Sequence, residues 1–189
     1  ANGARQGILF KSGTQLETIG RVRAIAFDKT GTLTTGQLQV VKTLPVTGQS
    51  ENLVLQVAAA LEVFSEHPVG QAIVRAATQR RLELPAATGV QAQTGQGIVG
   101  KVDGKLVVVG KATFIQKQLV SVPSELSEFC DRLEAEGKTV VWVAYAHQVL
   151  GLIAVADTVR PEALSIVAKL KRLGIEKIVM LTGDNSRTA

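Results

Sequence analysis

The chain has 189 residues, 46% hydrophobic and 20% charged, with a formal net charge of +5, an ordinary globular composition with room for one large domain or two small ones. Few aromatics and scattered charge, densest at Arg80-Arg81 and Lys169-Lys171-Arg172, argue against a nucleic-acid partner. One cysteine, Cys130, and two histidines exclude a disulfide framework and a transition-metal cluster, and no apolar run approaches the roughly 20 residues of a membrane helix.

In chain order, residues 1–20 are a polar lead-in with Leu9, Leu16 and Ile19 loosely spaced as on a helix. Ala24-Ile25-Ala26-Phe27 reads as a short buried strand delivering Asp28, and the pattern changes character at Thr35-Gly36. Leu53 to Phe64 and Val69 to Arg80 have helical period, with Ser65-Glu66-His67-Pro68 between them. Pro68 suits a first helical turn, where its missing N–H costs nothing. Ile98 to Val102 and Leu106 to Val109 flank Asp103-Gly104, a two-residue hairpin signal. Ser124 to Glu136 reads as a helix stopped by Gly137, with Cys130 as a small packed residue. Thr139 to Ala146 and Val149 to Val155 read as a strand pair turning at His147-Gln148. Pro161 opens a helix with Leu164, Val167, Leu170 and Leu173 on one face, and Gly174 ends it. Ile178 to Leu181 reads as a second buried strand, ending at Thr182-Gly183-Asp184-Asn185. The simplest architecture pairs the two terminal strands in one parallel α/β sheet and inserts the central segment as a separate domain. The expected divisions are 1–36, 37–153 and 154–189.

The chemistry concentrates at strand ends. Asp28 places a carboxylate at the carboxyl edge of a sheet, where open α/β sheets bind and react with ligands. The glycine- and hydroxyl-rich turn after it can cradle a phosphate, and Lys29 adds positive charge. With Leu33-Thr34 the stretch reads DKTGTLT, which resembles the phosphorylation motif of P-type ATPases. The resemblance implies a haloacid-dehalogenase-like (Rossmann-like) parallel sheet with an inserted α+β nucleotide-binding domain, an antiparallel sheet flanked by helices. It implies ATP as phosphoryl donor and Mg2+ as cofactor, with Asp28 as nucleophile and Lys29 and Thr30 beside it. Mg2+ would be held by Asp28 and the Thr30 backbone carbonyl. Related phosphatases carry a second Asp, the general acid/base, where this chain has Thr30; the substitution favours a lasting aspartyl phosphate.

Other motifs extend the resemblance. Thr182-Gly183-Asp184 looks like the TGD motif: Thr182 would bond the phosphoryl oxygens, Gly183 permit close backbone approach, and Asp184 organise the site near the magnesium. Asp157-Thr158-Val159-Arg160-Pro161 resembles the hinge motif, in which Asp157 and Arg160 would help hold nucleotide phosphates and couple the domains. Gly95-Gln96-Gly97 does not follow a Rossmann strand in the required way, so dinucleotide binding is rejected. Together with Ser65-Glu66-His67-Pro68 it is similar to the nucleotide-binding domain of the heavy-metal (P1B) branch, with Glu66 and His67 at the adenine and Gly95 and Gly97 against purine and phosphates. Copper pumps of that branch continue with Gly-Asn where this chain has Gly110-Lys111. Lys111 cannot reproduce an amide's paired donor and acceptor, and the wider context leans slightly to zinc, cobalt or cadmium over copper.

The resemblance stops just past Asn185, before the phosphate-binding Lys and magnesium-binding Asp of a complete phosphorylation domain. The expectation is a soluble fragment with a truncated parallel sheet, the cytoplasmic region of an integral multi-pass protein whose absent membrane helices move the metal. It would bind nucleotide and turn ATP over poorly or not at all. Two alternatives stand beside it, a soluble haloacid-dehalogenase-type phosphatase and a non-catalytic ATP-binding module.

Overall fold

A computed structural model describes residues 7–9, 11–118 and 120–181. The described elements run in the order α1 (Gly13–Ile19), β1 (Ala24–Asp28), β2 (Thr34–Pro45), α2 (Glu51–Glu62), α3 (Pro68–Gln79), β3 (Ala87–Gln93), β4 (Gly97–Val102), β5 (Lys105–Gly110), α4 (Ala112–Lys117), α5 (Ser124–Ala135), β6 (Thr139–Tyr145), β7 (Gln148–Val159), α6 (Ala163–Arg172) and β8 (Lys177–Leu181). They form two units, one of Thr35–Thr158 and one of the described residues up to Thr34 and from Val159 to Leu181.

Residues 35–158 hold a six-stranded sheet in the order β2-β7-β6-β5-β4-β3, antiparallel from β7 through to β3. Alternation along its strands sorts side chains to two faces. Val107, Val109, Val143 and Ile153 pack beneath α2 and α3, while Val108, Trp142, Leu152 and Ala154 pack beneath α4 and α5. Both faces are covered, which is why β7 reads as a continuous apolar run from Val149 to Val155. At the Asp103-Gly104 turn both residues take positive φ (50° and 73°), as a two-residue hairpin requires. The β6–β7 turn lies at Ala146-His147 (φ 51° and 64°), one residue before the expected His147-Gln148. Ala146 is not a usual left-handed former and His147 is only a modest one, so the sequence marks the corner weakly.

In the other unit β1 and β8 pair in parallel, in a register running from Ala24 opposite Lys177 to Asp28 opposite Leu181. The expected burial of these strands is not found. Ile25, Phe27 and Ile178 are half-buried and the remaining residues of both strands are exposed. Parallel strands become fully buried only when layers cover both sheet faces, and this sheet has two strands among the described residues. The helix expected from Pro161 starts at Ala163, because the Arg160 carbonyl accepts the Ala163 N–H (3.0 Å) and turns the chain first. Gly174 ends it at φ 91°. Among the described residues, no helix is long and apolar enough to cross a membrane.

Candidate functional site

Asp28 is the last residue of β1 and is exposed. Thr30 (φ −76°, ψ 121°) and Gly31 (φ 77°, ψ −11°) then have the angles of the central pair of a type II turn, whose second place demands positive φ. An added Cβ at Gly31 would meet nothing within 4 Å, so backbone conformation and not space selects glycine there. The loop is fastened from behind. The buried Thr34 hydroxyl donates to the Lys29 carbonyl (3.0 Å) and accepts the Gly31 N–H (3.1 Å). Arg160 donates through Nε to the Thr34 carbonyl (3.0 Å), through Nη2 to the Gly31 carbonyl (3.2 Å) and through its backbone N–H to the Leu33 carbonyl (2.8 Å). A carboxylate on a loop held this way keeps its position while presenting its oxygens to solvent.

The β1–β8 register sets Leu181 level with Asp28. Thr182, Gly183 and Asp184 follow directly and lie outside the described residues. Magnesium prefers hard oxygen ligands and needs few carboxylates from the protein, since it keeps several waters. The Asp28 carboxylate and Thr30 carbonyl fit that chemistry. No group of three His, Cys, Asp or Glu placed to hold a metal exists among the described residues.

A second feature lies wholly within residues 35–158, a cavity of about 1110 Å³. Glu66, His67, Gly95 and Gly97 all line it, joined by Glu62, Phe64, Gly110, Lys111, Cys130, Lys138 and Trp142. Asp157 and Arg160 do not. Asp157 instead accepts the Gly36 N–H (3.0 Å) and the Thr35 hydroxyl (3.2 Å), tying β2 to β7, and Arg160 holds the Asp28 loop.

His67 is the N-cap of α3, its Nδ1 accepting the Val69 N–H (3.2 Å) ahead of Pro68. That bond requires an unprotonated Nδ1, so neutral His67 carries its proton on Nε2 as a donor. Gly95 sits in the β3–β4 turn at φ 71° with open space around an added Cβ. Gly97 and Gly110 face each other across β4 and β5, and a Cβ on either would come within 2.7 Å of the other's Cα. The pair therefore makes a bare backbone surface in the cavity wall.

Glu62 is the site candidate that sequence reasoning missed. It is 7% exposed, and burial raises its pKa above the ordinary value against the opposing pull of a hydrogen bond from Ser65. The signal was there to find: Leu55, Ala59 and Glu62 fall on one helical stripe, and the stripe ends in an acid. Phe64, exposed at 60%, read only as the end of a helical period. Burial, with Glu134 adding to it, pushes the Cys130 thiol up to about 11, so this cysteine is a packed hydrophobe.

Residues 22–189 match the family described as haloacid dehalogenase-like hydrolase. The chain is 41% identical over 186 residues to the copper-exporting P-type ATPase of Bacillus subtilis, covering 98% of this chain and 23% of that protein. It is 43% identical over 190 residues to the zinc/cadmium/lead-transporting P-type ATPase of Shigella sonnei, covering 100% of this chain and 25% of that protein. The crystal structure of a zinc-transporting PIB-type ATPase in its E2.Pi state superposes with a TM-score of 0.87 at 42% identity, over 98% of this chain and 30% of that one. The chain thus spans about a quarter of the length of these relatives.

Proposed function

We propose, from the premise that this chain belongs to the haloacid dehalogenase-like hydrolase family and has heavy-metal P-type ATPases as its homologues, that it is the ATP-binding and phosphorylation region of an ATP-driven heavy-metal exporter. Asp28 attacks the γ-phosphorus of ATP. A carboxylate oxygen bonds to phosphorus as the bond to the bridging oxygen of ADP breaks, leaving an acyl phosphate on Asp28 and releasing ADP. The Asp28 carboxylate and the Thr30 carbonyl would hold Mg2+, which would supply neutralisation of phosphoryl charge. Lys29 adds a positive charge beside the transferring group, and Thr182, Gly183 and Asp184 complete the phosphate pocket. Thr30 offers no acid/base group to speed hydrolysis, which supports a phosphoenzyme long-lived enough for a transport cycle over a soluble phosphatase.

The nucleotide base occupies the cavity near Glu66 and His67, with Glu62 and Phe64 beside them and Gly95 and Gly97 allowing backbone approach. Asp157 fastens the Thr35-Gly36 segment of β2, and Arg160 holds the Asp28 loop. The protein is integral to a membrane through segments beyond this region, which faces the cytoplasm. Its cargo is zinc, cobalt or cadmium ahead of copper, a lean supported by Lys111 in place of the copper pumps' Asn.

One observation carries this reading: segments 30 residues apart in sequence, Ser65–His67 and Gly95–Gly97, line one nucleotide-sized cavity. Calorimetric titration with ATP tests it. Saturable binding that Glu66→Ala or His67→Ala weakens about tenfold, about 1.4 kcal/mol, is the expected result. Binding indifferent to both substitutions would overturn the placement of the base. In the full-length exporter, Asp28→Asn abolishes ATP-driven metal movement; intact transport would leave only a non-catalytic ATP-binding module.

A further inference from the structure

Among the described residues, two aromatic side chains line the cavity, Phe64 and Trp142, and the fold treats them oppositely. Trp142 is 2% exposed and packs beneath α4 and α5, so its indole offers little surface to a ligand. Phe64 is 60% exposed and belongs to neither apolar cluster of residues 35–158. Val69, Ile98, Val109 and Val140 also line the cavity, but each is at most 7% exposed and committed to packing. A lone apolar side chain on an open surface is ordinary; this one is left bare in the wall of a cavity. Its backbone is fixed there. Phe64 follows the C-cap of α2, Val63, and its N–H donates to the Leu61 carbonyl (3.1 Å). The neighbouring N–H groups are held as well, that of Val63 by the Ala59 carbonyl (3.1 Å) and that of Ser65 by the Glu62 carbonyl (2.9 Å).

A ring presented this way suits a flat partner. Aromatic side chains and nucleobases stack with offset faces, bury apolar area and need no hydrogen-bond geometry. Phenylalanine has two side-chain torsions to fix, so ordering it costs little. The phosphate end of a nucleotide does not suit this place. Glu66 lies two residues on and lines the same cavity, and its carboxylate repels a polyanion. We propose that the Phe64 ring stacks on the nucleotide base and makes the site prefer a purine to a pyrimidine. This rests on the nucleotide reading of the cavity and adds a specificity-determining residue to it. A two-ring base covers more of the phenyl face than a one-ring base, so ATP gains more from the contact than CTP.

The test titrates the whole chain, Phe64→Ala, Phe64→Leu and Phe64→Trp with ATP, CTP and adenosine. The alanine variant loses affinity for ATP and adenosine alike, about tenfold, as expected for one base–aromatic stack. Its preference for ATP over CTP narrows. Phe64→Leu, apolar without a ring, stays near the alanine value, and Phe64→Trp restores binding. Because Trp142 is buried, the tryptophan added at position 64 reports the contact directly, its emission quenched by adenosine. No loss with alanine, full recovery with leucine, a loss confined to ATP, or equal affinity of the unaltered chain for ATP and CTP overturns the inference while leaving ATP in the cavity. An unaltered chain that binds neither ATP nor adenosine overturns the nucleotide reading and this inference with it.

Discussion

Glu62 stands where the apolar stripe of α2 calls for one more aliphatic side chain, and burial makes it hold its proton above the ordinary carboxyl range. The folded pKa is raised above the unfolded value, near 4.5. The stability linked to this proton is therefore fully present below that value and is lost as pH rises through the raised folded value. Thermal unfolding across that window should show the midpoint falling as pH increases, and Glu62→Gln should flatten the profile. A variant with the same pH slope as the unaltered chain would show that another group is responsible. While protonated, the carboxyl both donates and accepts hydrogen bonds. Gly70 protects this arrangement: a Cβ there would lie 2.2 Å from Glu62 Oε2 and 3.0 Å from the Ser65 Cβ. Gly70→Ala should cost about 1–3 kcal/mol through overpacking and weaken ATP as well, measured by urea unfolding and titration. Unchanged values in both would mean that Glu62 moves aside freely.

At the level of elements, the sequence is legible where a local signal and the tertiary demand coincide. Asp103-Gly104 is a hairpin in both sequence and structure because its residues tolerate the φ that the turn requires. Ala146-His147 makes the same kind of corner with only His147 suited to that φ, so periodicity alone placed the turn one residue late. The β3 strand went unread because it lies at the sheet edge with mostly exposed polar side chains and no apolar period. The cavity was half legible. Ser65–Pro68 and Gly95–Gly97 stand out as motifs, whereas Glu62 and Phe64 are submerged in a helical pattern. Asp157 and Arg160 were visible as residues, but their contacts with the Gly36, Gly31 and Thr34 backbone are set by pairing over more than 120 residues of chain. The strained corner gives a direct test. Left-handed backbone costs an ordinary residue roughly 1–2 kcal/mol, part of which glycine returns as lost flexibility. Replacing Ala146-His147 with Asn-Gly should thus stabilise residues 35–158 by about 1 kcal/mol. An unchanged urea midpoint would show that the corner is unstrained.

Across the whole molecule, stability is concentrated in one unit. Apart from Ala163, every buried apolar residue described belongs to residues 35–158. In the other unit Leu164, Leu173 and Leu181 are 80%, 77% and 58% exposed. Burial at about 25 cal/mol per Å² is the main favourable term in folding, so the two units should not unfold together. Amides of β1 and β8 should exchange with deuterium well before those of β5, β6 and β7, and urea should produce a first transition that leaves the six-stranded sheet intact. A single transition with uniform protection would refute independent units. The stronger form of the prediction removes the weaker unit altogether. All residues lining the cavity, Lys111 included, come from residues 35–158, whose sheet has helices packed on both faces. Expressed alone, those residues should fold and bind ATP within about twofold of the whole chain, a difference under about 0.5 kcal/mol. Phosphorylation, which requires Asp28, should disappear from the same protein. A large loss of ATP affinity on truncation would mean that residues outside the cavity contribute to nucleotide binding, with Arg160 the first to substitute.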